Sequence, residues 1–198
     1  MTDSKNALRR HLRQRRRDLP PRILSQAAEA VARQLSATSI FRRSRRIAAY
    51  LAVGGELDLA PLLQRALAHG KQVYLPCLAG RGAPYLLFRR YRGPSERMRR
   101  NRFGILEPAR GPLLGARQLD LVLAPLVAFD GRGNRLGMGG GFYDRTFAFL
   151  PQRLRWRKPR LIGVAYSFQE VPELVAEPWD VGLWACVTER GMRYFARP

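Results

Sequence analysis

A glycine-dense segment between an apolar run and a predicted helix has the residue types and spacing to hold an anion. Its glycines are Gly137, Gly139, Gly140 and Gly141. Because a glycine has no Cβ, the backbone N–H groups of such a segment can approach an oxyanion closely. From Phe142 the sequence predicts a helix, whose N-terminus favours negative charge. Arg135 and Arg145 flank the segment, and guanidinium groups match phosphate oxygens. The segment therefore predicts a phosphate-binding loop.

This segment differs from the two best-known phosphate-binding loops. The chain has no Gly-Lys-Ser/Thr sequence, and the spacing Gly137-x-Gly139-x-x-Phe142 lacks the third glycine of the dinucleotide fingerprint. A glycine-rich turn that only joins a strand to a helix is therefore the alternative. Arg135 and Asp144, on either side of the glycines, favour the phosphate-binding interpretation.

The same residues resemble the signature of the 5-formyltetrahydrofolate cyclo-ligase family, whose members are also called 5,10-methenyltetrahydrofolate synthetases. The matching segments are Ala124-Pro125, Ala128-Phe129-Asp130, Gly133-Asn134-Arg135-Leu136-Gly137 and Gly139-x-Gly141-Phe142-Tyr143-Asp144-Arg145. Further matches are Lys5-x-x-Leu8-Arg9, Tyr50-Leu51 to Glu56, Val73-Tyr74-Leu75-Pro76, Phe103-Gly104-Ile105-x-Glu107-Pro108, Gln169, and Trp179-Asp180 to Thr188. The resemblance covers nearly the whole chain in order.

The resemblance implies an ATP-dependent ring closure that requires Mg²⁺. In that family ATP phosphorylates the formyl oxygen of 5-formyltetrahydrofolate, N10 of the folate attacks, and phosphate departs. The products are 5,10-methenyltetrahydrofolate, ADP and phosphate. Phosphoryl transfer asks a protein mainly for positioning and charge neutralisation. This requirement agrees with a sequence in which we find no Ser-His-Asp or Cys-His arrangement.

The resemblance also implies a role for each matching residue. ATP would be bound by Lys5, Arg9, Arg135, Gly137, Met138, Gly139, Gly140, Gly141 and Tyr143, with Arg135 also catalytic. The folate would be bound by Leu51, Glu56, Phe103, Met138, Gly139, Gly140, Gly141 and Phe142. Asp144 and Asp180 match the magnesium carboxylates, and Mg²⁺ needs only one or two such groups besides the phosphates.

Three of these residues have an ordinary structural interpretation beside the functional one. Asp144 in a first helical turn would stabilise the helix dipole without any metal. Glu56 matches the residue expected to hydrogen-bond the pterin, but it could also be a solvated loop acid. Phe142 could belong to the core as well as to a wall of the folate pocket.

The chain departs from many members of the family at two positions. Gly140 stands where many relatives carry Lys, and Trp179 stands where many carry His. The first departure removes an ammonium group that would grip phosphate, and the second changes the surroundings of Asp180. Neither alters the order of glycines and acids on which the resemblance depends.

Apolar periodicity predicts strands that alternate with helices, as in an α/β fold with a parallel or mixed sheet. The predicted helices are one capped by Ser4 and reaching Asp18, one from Pro21 to about Ser36, one capped by Asp58 and closed by Gly70, and one from Phe142 through Phe149. The predicted strands are Ile47–Ala52, Gln72–Leu75, Tyr85–Phe88, Leu121–Ala124, Leu161–Ala165 and Ala185–Thr188, while 89–115 is the most loop-like part. We expect a three-layer, Rossmann-like single domain over residues 1–198, with helices flanking a mostly parallel or mixed central sheet.

The two richest segments of the resemblance follow predicted strands. Residues 51–56 come after one strand and residues 129–141 after another. Ligands of α/β sheets bind beyond the carboxyl ends of strands. We therefore expect the two segments to face one cleft.

A formal charge of +21 favours a rival hypothesis, a protein that binds nucleic acid. Of 36 Lys and Arg residues, however, only three are Lys, which indicates a compositional preference for Arg rather than a designed groove. The dense cluster over residues 9–17 is typical of a solvated helix face, although it could also grip phosphates. Another phosphate-handling α/β enzyme, such as a sugar-phosphate isomerase, is the remaining alternative.

The other composition signals are ordinary. No apolar run approaches the roughly 20 residues of a membrane span, and the N-terminus lacks the apolar core of a secretory signal. We therefore predict a cytoplasmic protein without membrane or specific nucleic-acid partners, acting on small molecules and more readily a monomer than an oligomer. Cys77 and Cys186 predict free buried thiols, and His11 and His69 alone make a zinc site improbable.

Overall fold

The computed structural model describes residues 2–80, 82–152 and 158–195. Its helices are α1 (Thr2–Arg17), α2 (Pro21–Ser36), α3 (Ser39–Arg43), α4 (Ala60–Ala68) and α5 (Phe142–Phe147). Its strands are β1 (Arg46–Ala48), β2 (Gln72–Leu78), β3 (Leu86–Tyr91), β4 (Met98–Arg100), β5 (Leu106–Pro108), β6 (Leu113–Leu114), β7 (Leu121–Pro125), β8 (Ala128–Asp130), β9 (Arg135–Leu136), β10 (Arg160–Val164), β11 (Glu170–Val171), β12 (Ala185–Thr188) and β13 (Gly191–Tyr194). None of the helices in these ranges has the length and apolarity needed to cross a membrane.

A mixed eight-stranded sheet forms the centre of the molecule, in the order β13-β12-β10-β7-β1-β2-β3-β6. The five strands from β12 to β2 are parallel, and the outer strands β13, β3 and β6 pair antiparallel. In the register of the sheet, Ile47 lies opposite Val73 on one side and Leu121 on the other. The predicted α/β class with a mixed central sheet and flanking helices is confirmed.

The sheet is buried on both faces because successive strand residues point to opposite sides. Ile47 and Leu121 join the cluster that contains α2 and α4, whereas Ala48 and Val122 join the cluster with Phe147 of α5. This double burial explains the uninterrupted apolar sequence of the central strands. A smaller third cluster packs Leu12 of α1 beneath residues 127–136.

Several predicted boundaries are confirmed. Helix α2 and strand β12 have the predicted limits, and α5 begins at Phe142. Gly70 has φ of +66° and follows the last turn of α4, as a C-terminal glycine should. Cys77 and Cys186 are free and buried.

Both predicted helix caps were wrong. Helix α1 begins at Thr2 rather than at Ser4, since no proline or glycine precedes Ser4 to stop it. The N-cap of α4 is Leu59, and the carboxylate of Asp58 accepts a hydrogen bond from the Ala60 amide at 2.9 Å. Asp58 therefore supports the turn that precedes the first helical residue rather than capping the helix.

The strand predictions were wrong for segments whose structure depends on hydrogen bonds to a neighbouring strand rather than on their own amino-acid composition. Strand β1 ends at Ala48, so residues 49–52 leave the sheet toward the cleft. Residues 89–115, predicted as the most loop-like part, contain the end of β3 and all of β4, β5 and β6. Strand β13, which pairs with β12 at the sheet edge, was not predicted. Helix α5 ends at Phe147, so Phe149 lies beyond it.

Candidate functional site

A cavity of about 1170 Å³ opens beyond the carboxyl ends of β1 and β7. Residues of both predicted segments, 51–56 and 129–141, line it, which confirms that the two segments face one cleft. Ligand pockets commonly measure about 300–1,000 Å³, so this cavity has room for two small substrates together. Every residue to which the sequence assigned a binding, catalytic or metal role lines it: Lys5, Arg9, Leu51, Glu56, Phe103, Arg135, Gly137, Met138, Gly139, Gly140, Gly141, Phe142, Tyr143, Asp144 and Asp180.

Residues 137–141, the glycine loop, present backbone amides without partners. None of its five amides donates a hydrogen bond to another described residue. Gly139 has φ of +97° and Gly141 φ of +61°, conformations that residues with a Cβ rarely adopt. Three of the loop carbonyls, in contrast, accept hydrogen bonds. Arg9 donates to Gly137, and Arg145 donates to Gly140 from its side chain and to Gly141 from its amide. The loop therefore offers a row of donors to whatever enters the cavity.

Helix α1 holds the glycine loop from outside the sheet. The Nε atom of Arg9 donates to the Gly137 carbonyl at 2.9 Å, and Lys5 pairs with Glu177 at 3.0 Å. Lys5 and Arg9 are one helical turn apart, so that both reach the same wall of the cavity. The helix places Arg9 at the end of the glycine loop and Lys5, paired with Glu177, elsewhere on the cavity lining.

Arg135 and Asp144, which precede and follow the glycine loop in the chain, form an ion pair. The Arg135 Nη2 to Asp144 Oδ1 distance is 2.6 Å, and only 5% of the Arg135 side chain is exposed. The same carboxylate oxygen accepts from the Val181 amide at 3.2 Å. A buried guanidinium with a fixed carboxylate partner is held at one position and orientation. Arg135 is therefore a preorganised charge on the cavity wall.

Asp144 accepts a hydrogen bond from the amide of Val181, the residue that follows Asp180. Asp180 closes a turn in which its Oδ2 atom accepts from the Glu177 amide at 2.9 Å and its own amide donates to Glu177. One oxygen of each carboxylate, Oδ2 of Asp144 and Oδ1 of Asp180, has no hydrogen-bond partner among the described residues. In the described ranges no group of three or more His, Cys, Asp and Glu residues could hold a metal. Two free oxygens fit Mg²⁺, which takes its other ligands from water and phosphates.

Glu56 lines the cavity from the loop that follows β1. Its carboxylate accepts from the Val53 amide at 3.1 Å, which folds the side chain back over its own turn. Burial raises the pKa of Glu56, while the Val53 hydrogen bond and the nearby Arg16 oppose the rise. Glu56 is therefore a half-buried acceptor on the cavity wall, and its contact with the pterin stays a prediction.

Aromatic side chains join the two halves of the cavity. The rings of Phe103 and Phe142 meet edge to face with centroids 5.7 Å apart. Phe142 packs against the core and also lines the cavity, so its core interpretation is confirmed and its role in the folate pocket stays a prediction. Burial raises the pKa of Tyr143, and the Glu56 carboxylate raises it further, so the phenol stays neutral. Phe103, with more than half of its surface exposed, reaches over the cavity from the turn between β4 and β5.

The sequence reasoning missed Arg16, which ties three cavity segments together. Arg16 is 2% exposed, and its guanidinium donates to the carbonyls of Leu126 at 3.2 Å and Gly54 at 3.4 Å. A Cβ on Gly55 would lie 3.0 Å from the Arg16 backbone, so the Glu56 loop packs directly on α1. Arg16 is therefore a positioning residue for Glu56. Arg16 stands in an arginine-rich run, where it resembles solvent-exposed neighbours. Its spacing of four residues from Leu12, on the apolar face of α1, indicated that it is buried.

The sequence identified Asp130 only within a segment that matches the family, and the structure shows what its side chain binds. Its buried carboxylate accepts from the Arg132, Asn134 and Leu174 amides and from the Asn134 side chain, at 2.9–3.0 Å. These bonds fix the hairpin of β8 and β9 and the segment that leads to Glu177. Burial raises the pKa of Asp130, but the hydrogen bonds outweigh it and the net shift is downward.

Comparison with known proteins gives one consistent result. The model of the 5-formyltetrahydrofolate cyclo-ligase family matches residues 1–189. The chain is 38% identical over 187 residues to the 5-formyltetrahydrofolate cyclo-ligase of Haemophilus influenzae, covering 92% of this chain and 96% of the relative. It is 40% identical over 179 residues to that of Escherichia coli K12, covering 89% and 96%.

Solved structures agree with these sequence matches. The 5,10-methenyltetrahydrofolate synthetase of Aquifex aeolicus superimposes with a TM-score of 0.81 at 32% identity, covering 98% of this chain and 94% of that one. The synthetase of Mycoplasma pneumoniae gives a TM-score of 0.73 at 25% identity, covering 93% and 98%. The likeness therefore extends over nearly the whole length of this chain.

Proposed function

The chain belongs to the 5-formyltetrahydrofolate cyclo-ligase family and is a ligase; on this premise we propose how its cavity performs the reaction. ATP phosphorylates the formyl oxygen of 5-formyltetrahydrofolate, N10 attacks the activated carbon, and phosphate leaves to give 5,10-methenyltetrahydrofolate. One observation carries the proposal. A single cavity holds five amides that donate to no other described residue, the Arg135–Asp144 ion pair, and the half-buried carboxylate of Glu56.

The glycine loop binds the phosphates of ATP. Its free amides donate to phosphate oxygens, and Lys5 and Arg9 add positive charge along the same wall. Arg135 neutralises the charge that spreads over the phosphoryl group during transfer. Because Asp144 fixes the guanidinium before ATP enters, little reorganisation is needed when that charge develops.

Glu56 binds the reduced pterin. A carboxylate with its second oxygen free can accept from the N–H donors of that ring, and Val53 holds it in place. Leu51, Phe103, Phe142 and Tyr143 enclose the ring with apolar surface. This surface also excludes water, which would otherwise hydrolyse the activated formyl group.

We propose that Asp144 and Asp180 hold Mg²⁺ through the two oxygens that have no partner among the described residues. The ion would neutralise phosphate charge when bound. We also propose that residues 1–198 act as one domain on small molecules in the cytoplasm.

The experiment is a direct assay with purified protein, 5-formyltetrahydrofolate, ATP and Mg²⁺, in which the methenyl chromophore is followed by absorbance. Formation of the chromophore that depends on ATP supports the proposal, and its absence with folded protein contradicts it. Glu56→Gln separates the two halves of the site. We expect its KM for the folate to rise about tenfold, the value of one hydrogen bond to a charged group, and its KM for ATP to change far less. An equal rise in both KM values would contradict the pterin contact.

A further inference from the structure

The part of the sheet edge that contains β4, β5 and β6 carries a large share of the positive charge. Residues 89–117, which we call the arginine edge, contain nine Arg and two Glu. This segment of 29 residues therefore has a net charge of +7, one third of the total of +21. A preference for Arg over Lys explains which cation the chain uses, but it does not explain why the cations are concentrated in one part of the fold.

The two carboxylates of the arginine edge neutralise little of its surface. Glu96 pairs with Arg92, and Glu107 pairs with Arg99. The glutamate side chains are only 11% and 2% exposed, so their negative charge is largely removed from solvent. The other seven arginines of the segment have no carboxylate partner among the described residues.

Three of these arginines form a row along the two-stranded ribbon of β4 and β5. Arg97, Arg102 and Arg110 are exposed, and their side chains make no hydrogen bond or ion pair to another described residue. The Ala109 amide donates to the Arg97 carbonyl at 2.8 Å, which brings Arg97 and Arg110 together at one end of the ribbon. Arg102 lies in the turn at the other end. At about 3.3 Å per strand residue the row extends over roughly 15 Å.

Phe103 adds an exposed aromatic ring at the turn end of this row. Its side chain is 55% exposed, and the Arg102 guanidinium lies over the ring, 5.0 Å from its centroid. The Asn101 side chain accepts hydrogen bonds from the Phe103 and Ile105 amides, at 2.9 and 3.2 Å, which fixes the turn. A ring that is held in place and open to solvent can stack on a base at small entropic cost.

We propose that the arginine edge binds single-stranded nucleic acid, with its guanidinium groups on the phosphates and Phe103 stacked on one base. A cationic row combined with an exposed aromatic ring is how proteins bind single strands without sequence preference. A duplex fits less well, because its bases already stack on one another. The surface is distinct from the catalytic cavity, since none of the three arginines of the row lines it. No base sequence is read, in agreement with the prediction that the protein has no specific nucleic-acid partner.

The test is the salt dependence of binding to fluorescein-labelled oligouridylate and oligothymidylate, followed by fluorescence anisotropy. The variant Arg97→Gln, Arg102→Gln, Arg110→Gln removes the row. Each phosphate contact on a single strand contributes about 0.7 to the slope of log K against log salt concentration. We therefore expect the slope for this triple variant to be smaller than that of the wild type by about 2.

A second triple variant removes the same charge from another surface. Arg22, Arg33 and Arg43 are exposed residues of α2 and α3 that make no ion pair to another described residue. Replacing these three by Gln should leave the slope at the wild-type value, with both triple variants melting at the wild-type temperature. An equal change of slope in the two variants would overturn the inference, because binding would then follow net charge rather than this surface.

Phe103→Ala tests whether bases are bound as well as phosphates. We expect its affinity for either oligonucleotide to fall about tenfold, the value of one stacked base, and its affinity for inorganic polyphosphate to stay unchanged. An unchanged affinity for both oligonucleotides would overturn the stacking and with it the preference for nucleic acid over other polyanions. Binding of the wild-type protein to phosphatidylserine vesicles, with none to either oligonucleotide, would overturn the inference and assign the arginine edge to a membrane surface.

Discussion

Residues 128–136, the hairpin, and residues 137–141, the glycine loop, are consecutive in the chain but use hydrogen bonds in opposite ways. In the hairpin, the Asp130 carboxylate accepts four bonds, and the Gly133 carbonyl accepts from Leu183. In the glycine loop, no amide donates to another described residue. A buried polar group without a partner is costly, so the unpaired groups stand where a ligand can reach them.

The difference shows that the two regions have separate roles, although the family signature runs through both. The hairpin is a rigid base whose polar groups are satisfied within the protein. The glycine loop keeps its donors free and is fixed from its ends, by Arg9 at Gly137 and by the pair of Arg135 and Asp144. A phosphate can therefore meet donors that need no rearrangement.

Arg135→Ala should have the largest effect on catalysis. It tests whether a residue at the end of the hairpin, next to the glycine loop, acts in the reaction rather than in folding. Arg135 belongs to the last strand of the hairpin but points its charge into the cavity. We expect kcat to fall about 10³-fold, as when a preorganised charge is removed from a transferring phosphoryl group. The thermal transition, measured by circular dichroism, should still be cooperative. Wild-type turnover in this variant would remove Arg135 from the mechanism.

Asp130→Asn tests whether the hairpin carries stability rather than chemistry. Each Asp130 oxygen faces N–H donors, so an amide NH₂ group must meet another donor whichever way it is turned. We expect the free energy of unfolding to fall by about 3 kcal/mol in urea titrations. The kcat of the folded fraction should change much less than in Arg135→Ala.

The pH dependence of stability follows from the lowered pKa of Asp130. Burial raises that pKa, but the hydrogen bonds lower it by a larger amount. The pKa of Asp130 in the folded protein therefore lies below the unfolded value of about 3.9. Its contribution to stability is complete above the unfolded value and is lost as pH falls through the folded one. Asp130→Asn should lack this dependence. Asp58→Asn, at an exposed acid that accepts one amide bond, is the control and should shift stability by less than about 0.5 kcal/mol.

The comparison also explains which features could be predicted from sequence. The central strands and α2 were predicted because their apolar periodicity reflects burial directly. The glycine loop and the acids near it were identified because closely spaced glycines beside charged residues are typical of phosphate-binding loops. All of the predicted site residues line one cavity, while their individual roles remain predictions.

What sequence could not supply was information on partners distant in the chain. Strand β13 exists because it pairs with β12, and β4 because it pairs with β5. In the sequence Arg16 cannot be told from the arginines beside it. Its role depends on hydrogen bonds to the carbonyls of Gly54 and Leu126, which are 38 and 110 residues away in the chain. Likewise, the sequence identified Asp130 only within a matching segment, whereas its bond to Leu174 depends on the fold.

A matched pair of glycine substitutions should give the smallest and most specific effects. Gly133 in the hairpin has φ of +84°, and a Cβ there would lie 2.8 Å from the ring of the buried Phe195. Gly141 in the glycine loop has φ of +61°, and the three heavy atoms nearest to a Cβ there all belong to the guanidinium of the exposed Arg145 side chain. Alanine is strained at both positions by about 1–2 kcal/mol. Only at Gly133 must a packed ring also move.

We therefore expect Gly133→Ala to lower the melting temperature more than Gly141→Ala, and Gly141→Ala to raise the KM for ATP more than Gly133→Ala. Both quantities come from thermal melts and initial rates on the same preparations. The reason is that strain in the hairpin is resisted by buried contacts, whereas strain in the glycine loop redirects free amides away from the phosphates. If Gly133→Ala raised the KM for ATP as much as Gly141→Ala, the two regions would act as one unit, and the division between a rigid base and a free donor row would be wrong.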